Sequence, residues 1–253
     1  MNLKDQLDSV IPIFHEDFQT EKINQIGSGV LILFRTYYFI LTAGHVIDEQ
    51  KSGHLLIPGV TRLLTGIRGS FSHFNPIIGR KNDLVDVGYF KLETDFGLEL
   101  SKVFEVVTEQ DMFLAPEYAE ETIFSLCGYP YRKSKIENDQ VNNEIFSYSA
   151  LHAKPEEYEK HNCKQPYQIV MKFNRKKAVD SYSGKKEISP LPHGISGGGI
   201  FIWPKIFESL TPMDRKLTGI CHTYKQSEHL FIGTNLLLII NFILHNNPEL
   251  AKN

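Results

Sequence analysis

A single serine, Ser196, stands among four glycines in His193-Gly194-Ile195-Ser196-Gly197-Gly198-Gly199, directly before the apolar run Ile200-Phe201-Ile202-Trp203. A serine hydroxyl attacks a carbonyl only when a neighbouring base takes its proton and amide donors await the developing oxyanion. Glycines suit such a place because they accept positive φ and let a substrate approach closely. A base is offered far upstream by His45, which follows Phe39-Ile40-Leu41-Thr42-Ala43-Gly44. Tyr37 to Leu41 is aromatic and aliphatic and reads as a buried strand, and the small residues 42 to 44 let the chain turn where His45 emerges. The third member is Asp86, at the entrance to the apolar segment Val87-Gly88-Tyr89-Phe90-Lys91-Leu92. A carboxylate there is costly to bury unless it is hydrogen-bonded. An N–H of His45 would satisfy it, and would leave the other ring nitrogen free to take the serine proton. Asp83 competes, but it sits with Lys81 and Asn82 in a polar turn and reads as solvated.

Each segment has a bland alternative: a glycine-rich turn before a strand is common, and most histidines are surface or core residues. The three together narrow the reading. Leu41-Thr42-Ala43-Gly44-His45, Asp86-Val87-Gly88-Tyr89-Phe90-Lys91-Leu92 and Gly194-Ile195-Ser196-Gly197-Gly198 resemble the His, Asp and Ser segments of trypsin/chymotrypsin-like serine peptidases, and they occur in that family's chain order. Gly27-Ser28-Gly29-Val30-Leu31-Ile32 resembles the opening of disulfide-free bacterial forms, and Leu217-Thr218-Gly219-Ile220 resembles the strand lining the substrate cleft. The likeness runs from about residue 22 to about residue 245.

The resemblance implies an all-β chain of two six-stranded antiparallel β-barrels with a C-terminal helix over the apolar stretch from Leu236. The expected division is a lead-in at 1–20, a first barrel at 21–110 carrying His45 and Asp86, and a second barrel with the helix at 111–253 carrying Ser196. Within the lead-in, Pro12 should end a short helix. Residues 131 to 165, mostly polar, read as an elaborated surface loop or hairpin. The implied roles are Ser196 as nucleophile, His45 as base and then acid, Asp86 as orienter, and the amides of Gly194 and Ser196 as the oxyanion hole. The substrate-binding candidates are His222, Thr223 and Tyr224. His222 either receives an acidic substrate side chain or is a wall residue. Tyr224 stands where a glycine often leaves the pocket open, so the pocket is expected to be shallow or blocked.

Two residues depart from the family pattern. Ile195 occupies the place of an aspartate that pairs with a newly cut N-terminal ammonium in many members, so activation by such a cut is not expected. Pro190 stands where basic-specific members carry an acid, so cleavage after Lys or Arg is not expected.

Composition bounds the rest. A chain of 253 residues, 42% hydrophobic, is long enough for substantial cores, and its net charge of −3 gives no broad attraction to nucleic acid. Arg175-Lys176-Lys177 is a short basic cluster that reads as a solvated loop. The N-terminal segment lacks the apolar stretch of an export signal, the Leu236–Leu244 stretch is too short to span a bilayer, and three cysteines (Cys127, Cys163, Cys221) point to a reducing, cytoplasmic setting. Neither a metal nor another cofactor is expected, since no CxxC or paired-His spacing occurs. Expected partners are a protein or peptide substrate and an activating protein, within a bacterial stress or defence system, with no membrane. Two other classes stay open: a closed protease-fold binding or scaffold protein, and an esterase acting on non-peptide acyl groups.

Overall fold

The computed structural model describes residues 5–76, 79, 84–131, 134–137, 140–179, 186–203 and 214–252. The competing Asp83 lies outside them. The first half forms one seven-stranded antiparallel sheet from β1 (Val10–Asp17), β2 (Ile23–Phe34), β3 (Tyr37–Thr42), β4 (Gly53–Pro58), β5 (Leu64–Gly66), β6 (Gly69–His73) and β7 (Gly88–Leu92), in the order β5-β4-β1-β2-β3-β7-β6. The short helices α1 (Gly44–Asp48) and α2 (Thr94–Leu100) follow β3 and β7. This half is not the closed six-stranded barrel expected. Its edges are β5, only three residues long, and β6, which follows after two residues, and no ladder joins them.

The second half closes. Strands β8 (Ile123–Gly128), β11 (Phe146–His152), β12 (Gln168–Lys172), β15 (Gly199–Ile202), β16 (Lys216–Lys225) and β17 (Leu230–Asn235) form a six-stranded barrel in the order β11-β12-β17-β16-β15-β8. Outside it lie the hairpin β9 (Ser134–Glu137) with β10 (Gln140–Asn143), helix α3 (Pro155–Lys160) and the small pair β13 (Ala178–Val179) with β14 (Lys186–Glu187).

Alternation explains why several strands of the first half are apolar on both faces. Leu31, Ile40 and Phe90 point into the core of the half-barrel, while their neighbours Val30, Ile32, Phe39, Leu41 and Tyr89 point outward into a second core. That second core joins the two halves, with Cys127, Phe201 and Ile220 coming from the closed barrel. Helix α4 (Leu236–Asn246) completes it. Its Asn235 side chain caps the start by accepting from the Leu237 N–H at 2.9 Å, and Leu236, Ile239, Ile240 and Ile243 are buried at helical spacing. Each such side chain stabilises the assembly by about 1.5–3 kcal/mol. The Asn247 amide then donates to the Tyr89 hydroxyl at 2.9 Å, tying the end of the helix to β7.

Two expectations are corrected here. The supposed lead-in contributes β1, and Pro12 lies inside it rather than ending regular structure. Proline cannot donate to a ladder, but β1 pairs with β4 only over Phe14 to Asp17, so at Pro12 that edge has no ladder to break. The polar stretch from 131 to 165 holds the expected hairpin, yet it also holds the barrel strand β11, whose Tyr148, Ala150 and His152 are buried in alternation. Among the described residues no helix is long and apolar enough to cross a membrane.

Candidate active site

His45 and Asp86 are brought together by the half-barrel. β3 ends at Thr42, Ala43 stays extended, and His45 lies in the single turn of α1, whose Val46 and Ile47 are anchored in the core. Asp86 enters β7 from the neighbouring edge and is only 5% exposed. Its Oδ1 accepts the His45 backbone N–H at 2.9 Å and its Oδ2 meets His45 Nδ1 at 2.5 Å. A carboxylate only accepts, so the proton between them sits on Nδ1, and in the neutral imidazole this leaves the lone pair on Nε2. Burial pushes the Asp86 carboxyl up, but the hydrogen bonds and charge of His45, with the charge of His222, more than offset this and hold it below the usual range.

Ser196 comes from the closed barrel. Its loop is bent at Gly194 and Gly197, with φ of 94° and 86°. At Gly197 a Cβ would lie 1.9 Å from the Ser28 carbonyl oxygen and 2.2 Å from Thr42 Oγ1, so only glycine fits. The Ser28 N–H donates to the Ser196 carbonyl at 2.7 Å, and its hydroxyl donates to the Gly194 carbonyl at 3.1 Å while accepting from the Tyr129 N–H at 2.9 Å. Ser28 therefore holds the serine loop against the half-barrel. The Gly-Ser-Gly spacing hints at close packing there, but nothing local says what Ser28 would touch. Ile195 is 2% exposed in the core of the closed barrel, with Gly128 directly behind it. Among the described residues the amides of Gly194 and Ser196 have no acceptor, which leaves both donors open.

The Ser196 hydroxyl donates to the His222 carbonyl at 3.3 Å. Among the described residues no hydrogen bond joins it to His45, so the hydroxyl must turn before that imidazole can take its proton. Such contacts are often loose before substrate binds.

His222 is the extra residue of a bulge in β16, for Cys221 pairs with Gly233 and Thr223 with the next partner, Ile232. The bulge shifts the alternation, so Cys221 and Tyr224 both pack on the barrel core. The His222 imidazole is 5% exposed, and it lies close enough to His45 and Asp86 to feel both charges. It is thus buried beside the pair. Its Nδ1 meets Thr223 Oγ1 at 2.9 Å and its Nε2 has no hydrogen-bond partner. Thr223 and Tyr224 are half-buried, and the Tyr224 ring lies 4.7 Å from that of Phe231 on the barrel core. Among the described residues no cluster of His, Cys, Asp or Glu is placed to hold a metal ion.

Burial lowers the His222 pKa to about 4, with Asp86 pulling the other way. The unfolded chain binds this proton below its ordinary value near 6.5, so the stability it contributes is present above about pH 6.5 and is lost as pH falls toward 4. The expected loss is about 3 kcal/mol over that window. Urea denaturation of wild type and His222→Asn at pH 7 and pH 4.5 checks this: the variant should lack that share of the pH slope. His152, also held low by burial, keeps its own share in both proteins. Equal slopes would refute the assignment.

No protein-family model matches the chain, and no curated protein matches it in sequence. Solved structures do match. The VesB protease of Vibrio cholerae superposes with a TM-score of 0.57 at 13% identity, over 95% of this chain and 64% of that one. The chain therefore spans a little under two thirds of that protein. Human heparin binding protein superposes with a TM-score of 0.56 at 14% identity, over 96% of this chain and 93% of that one. Identities this low speak to the fold alone. One closed six-stranded barrel, one half-barrel, a C-terminal helix and these likenesses give the chain a trypsin-like fold.

Proposed function

We propose that the chain is an intracellular serine endopeptidase that works through an acyl-enzyme on Ser196. The observation that carries this reading is the double hydrogen bond of Asp86 to His45, set beside a serine whose flanking amides are open. Ser196 Oγ attacks the substrate carbonyl as its proton passes to His45 Nε2. The N–H groups of Gly194 and Ser196 take the oxyanion, and Asp86 stabilises the imidazolium. Collapse expels the amine, protonated by His45, and leaves an ester on Ser196. Water, deprotonated by the same imidazole, then releases the acid.

The burial of Ile195 supports an oxyanion loop ordered by the chain itself, without a newly cut N-terminus. Control by a protein partner, within a bacterial stress or defence system, would then act on access to the cleft. The three buried thiols, none in a disulfide, favour a cytoplasmic setting.

A second reading, a closed binding protein of this fold, is favoured by the Ser196 hydroxyl turned toward His222 rather than His45. A fluorophosphonate separates the two. It should label the purified chain, and Ser196→Ala should abolish labelling. New termini in a digested protein mixture then distinguish a peptidase from an esterase. A folded chain that stays unlabelled would overturn the enzyme reading.

A further inference from the structure

Arg175 is not the solvated loop residue that its neighbours Lys176 and Lys177 are. Both lysines are exposed, but Arg175 is half-buried and turned inward. Its Nε–H donates to the Ser189 carbonyl at 2.5 Å. The next carbonyl, that of Pro190, accepts the Tyr148 hydroxyl at 3.3 Å. The Arg175 charge is also felt at the Tyr148 and Tyr224 phenols. The guanidinium thus sits where three pieces of chain converge: the segment leading to Ser196, strand β11, and strand β16 just beyond His222.

Those pieces also bound the place a substrate side chain must occupy. A carbonyl attacked by Ser196 lies within about 3 Å of Oγ and of the Gly194 and Ser196 amides. The side chain on that residue then points between the segment from Ser189 to Ile195 and the segment from His222 to Tyr224. The rings of Tyr148, Phe173, Tyr224 and Phe231 pack on one another beside the guanidinium.

Among the described residues the cation has no carboxylate partner. Arg68 is paired with Asp95 and Glu99, and Arg215 with Asp5, whereas among the described residues no acid lies within ion-pairing distance of Arg175. Of its five N–H donors one is used, which leaves the two terminal nitrogens free for a planar anion. Burial raises the titration of both neighbouring phenols, so neither supplies a negative charge near neutral pH. A half-buried guanidinium with open donors is suited to pair with a carboxylate.

We propose that Arg175 makes this site select an acidic residue, Glu or Asp, at the position whose carbonyl Ser196 attacks. This rests on the peptidase reading and names its substrate class. The test uses peptidyl diphenyl phosphonates that differ only in the residue carrying phosphorus: Glu, Gln, Leu or Lys. Each reports Ser196 directly, because an Oγ–P bond forms as phenol leaves with the serine proton. Rates are taken relative to a plain fluorophosphonate on the same variant, so a change that disturbs Ser196 itself moves both.

Wild type should react about 30-fold faster with the Glu than with the Gln reagent, the worth of one charged hydrogen-bonded contact. Arg175→Gln should bring that ratio close to one, Arg175→Lys should keep part of it, and Arg175→Glu should favour the Lys reagent. Equal Glu and Gln rates in wild type, or a ratio that survives in Arg175→Gln, overturns the proposal while plain labelling leaves the peptidase reading intact. Absence of plain labelling sinks both.

Discussion

Asp86→Asn is expected to lower kcat by about 10⁴-fold while the chain stays folded. The two carboxylate oxygens now serve two N–H donors of the same residue, the backbone amide of His45 and its Nδ1. An asparagine of equal shape offers one oxygen and one NH2. If the oxygen keeps the backbone amide, the NH2 faces Nδ1 and can be accepted only by a deprotonated nitrogen. The imidazole then carries its proton on Nε2, where it cannot take another from Ser196. The measurement is the rate of acylation in a single turnover, with thermal unfolding as the control for folding. A loss below about tenfold would show that Asp86 does not set the tautomer.

Ile195→Asp is expected to cost on the order of 3–5 kcal/mol of stability and to abolish activity. In many peptidases of this type an aspartate here is neutralised by an N-terminal ammonium. In this chain the side chain lies at 2% exposure in a cluster with Phe124, Leu126, Tyr148 and Phe231, and Gly128 is so close that a Cβ there would be 2.9 Å from that of Ile195. A carboxylate in that cluster must shed water without a cation to receive it, or else leave and drag the loop with it. Either course displaces the amides on each side of Ile195. Urea denaturation with activity measured in parallel reads both effects. Ile195→Val, which only trims a methylene, should cost about 1 kcal/mol and keep the loop in place. An Ile195→Asp chain with the wild-type urea midpoint would disprove apolar anchoring of the loop.

The residues placed side by side by local patterns were the most legible. His45 ends an apolar strand and Asp86 begins one, and adjacent strands β3 and β7 carry them to a single point. The terminal helix was legible because apolar side chains recur at helical spacing behind a capping asparagine. Features that depend on what lies across the molecule were hidden. β11 alternates, but its buried positions are Tyr148, Ala150 and His152, of mixed polarity, so the period does not stand out. The bulge at His222 leaves no mark on the chain, although it decides which side chains of β16 face the barrel. The half-barrel stays open because β5 is short, which no composition reveals. Arg175 differs from Lys176 and Lys177 only by the carbonyl it finds, and that carbonyl belongs to a segment read as a separate motif.

The contact between Gly197 and Ser28 has a consequence for the order in which the molecule comes into being. Strands β1 to β7, with His45 and Asp86, leave the ribosome first, and their sheet is the one that holds the imidazole and its carboxylate. Ser196 is made much later, and its barrel cannot close before β17 has followed it. The peptide at 197 is held in its own barrel by the Gly197 N–H to the Cys221 carbonyl and meets the half-barrel at Ser28 and Thr42, so Ser196 comes to His45 and Asp86 only when the finished second barrel docks on the first. A growing chain therefore carries the parts of the centre without the centre. Under the proposed reading, chemistry would begin only with that docking, and a truncated or misdocked product would be silent.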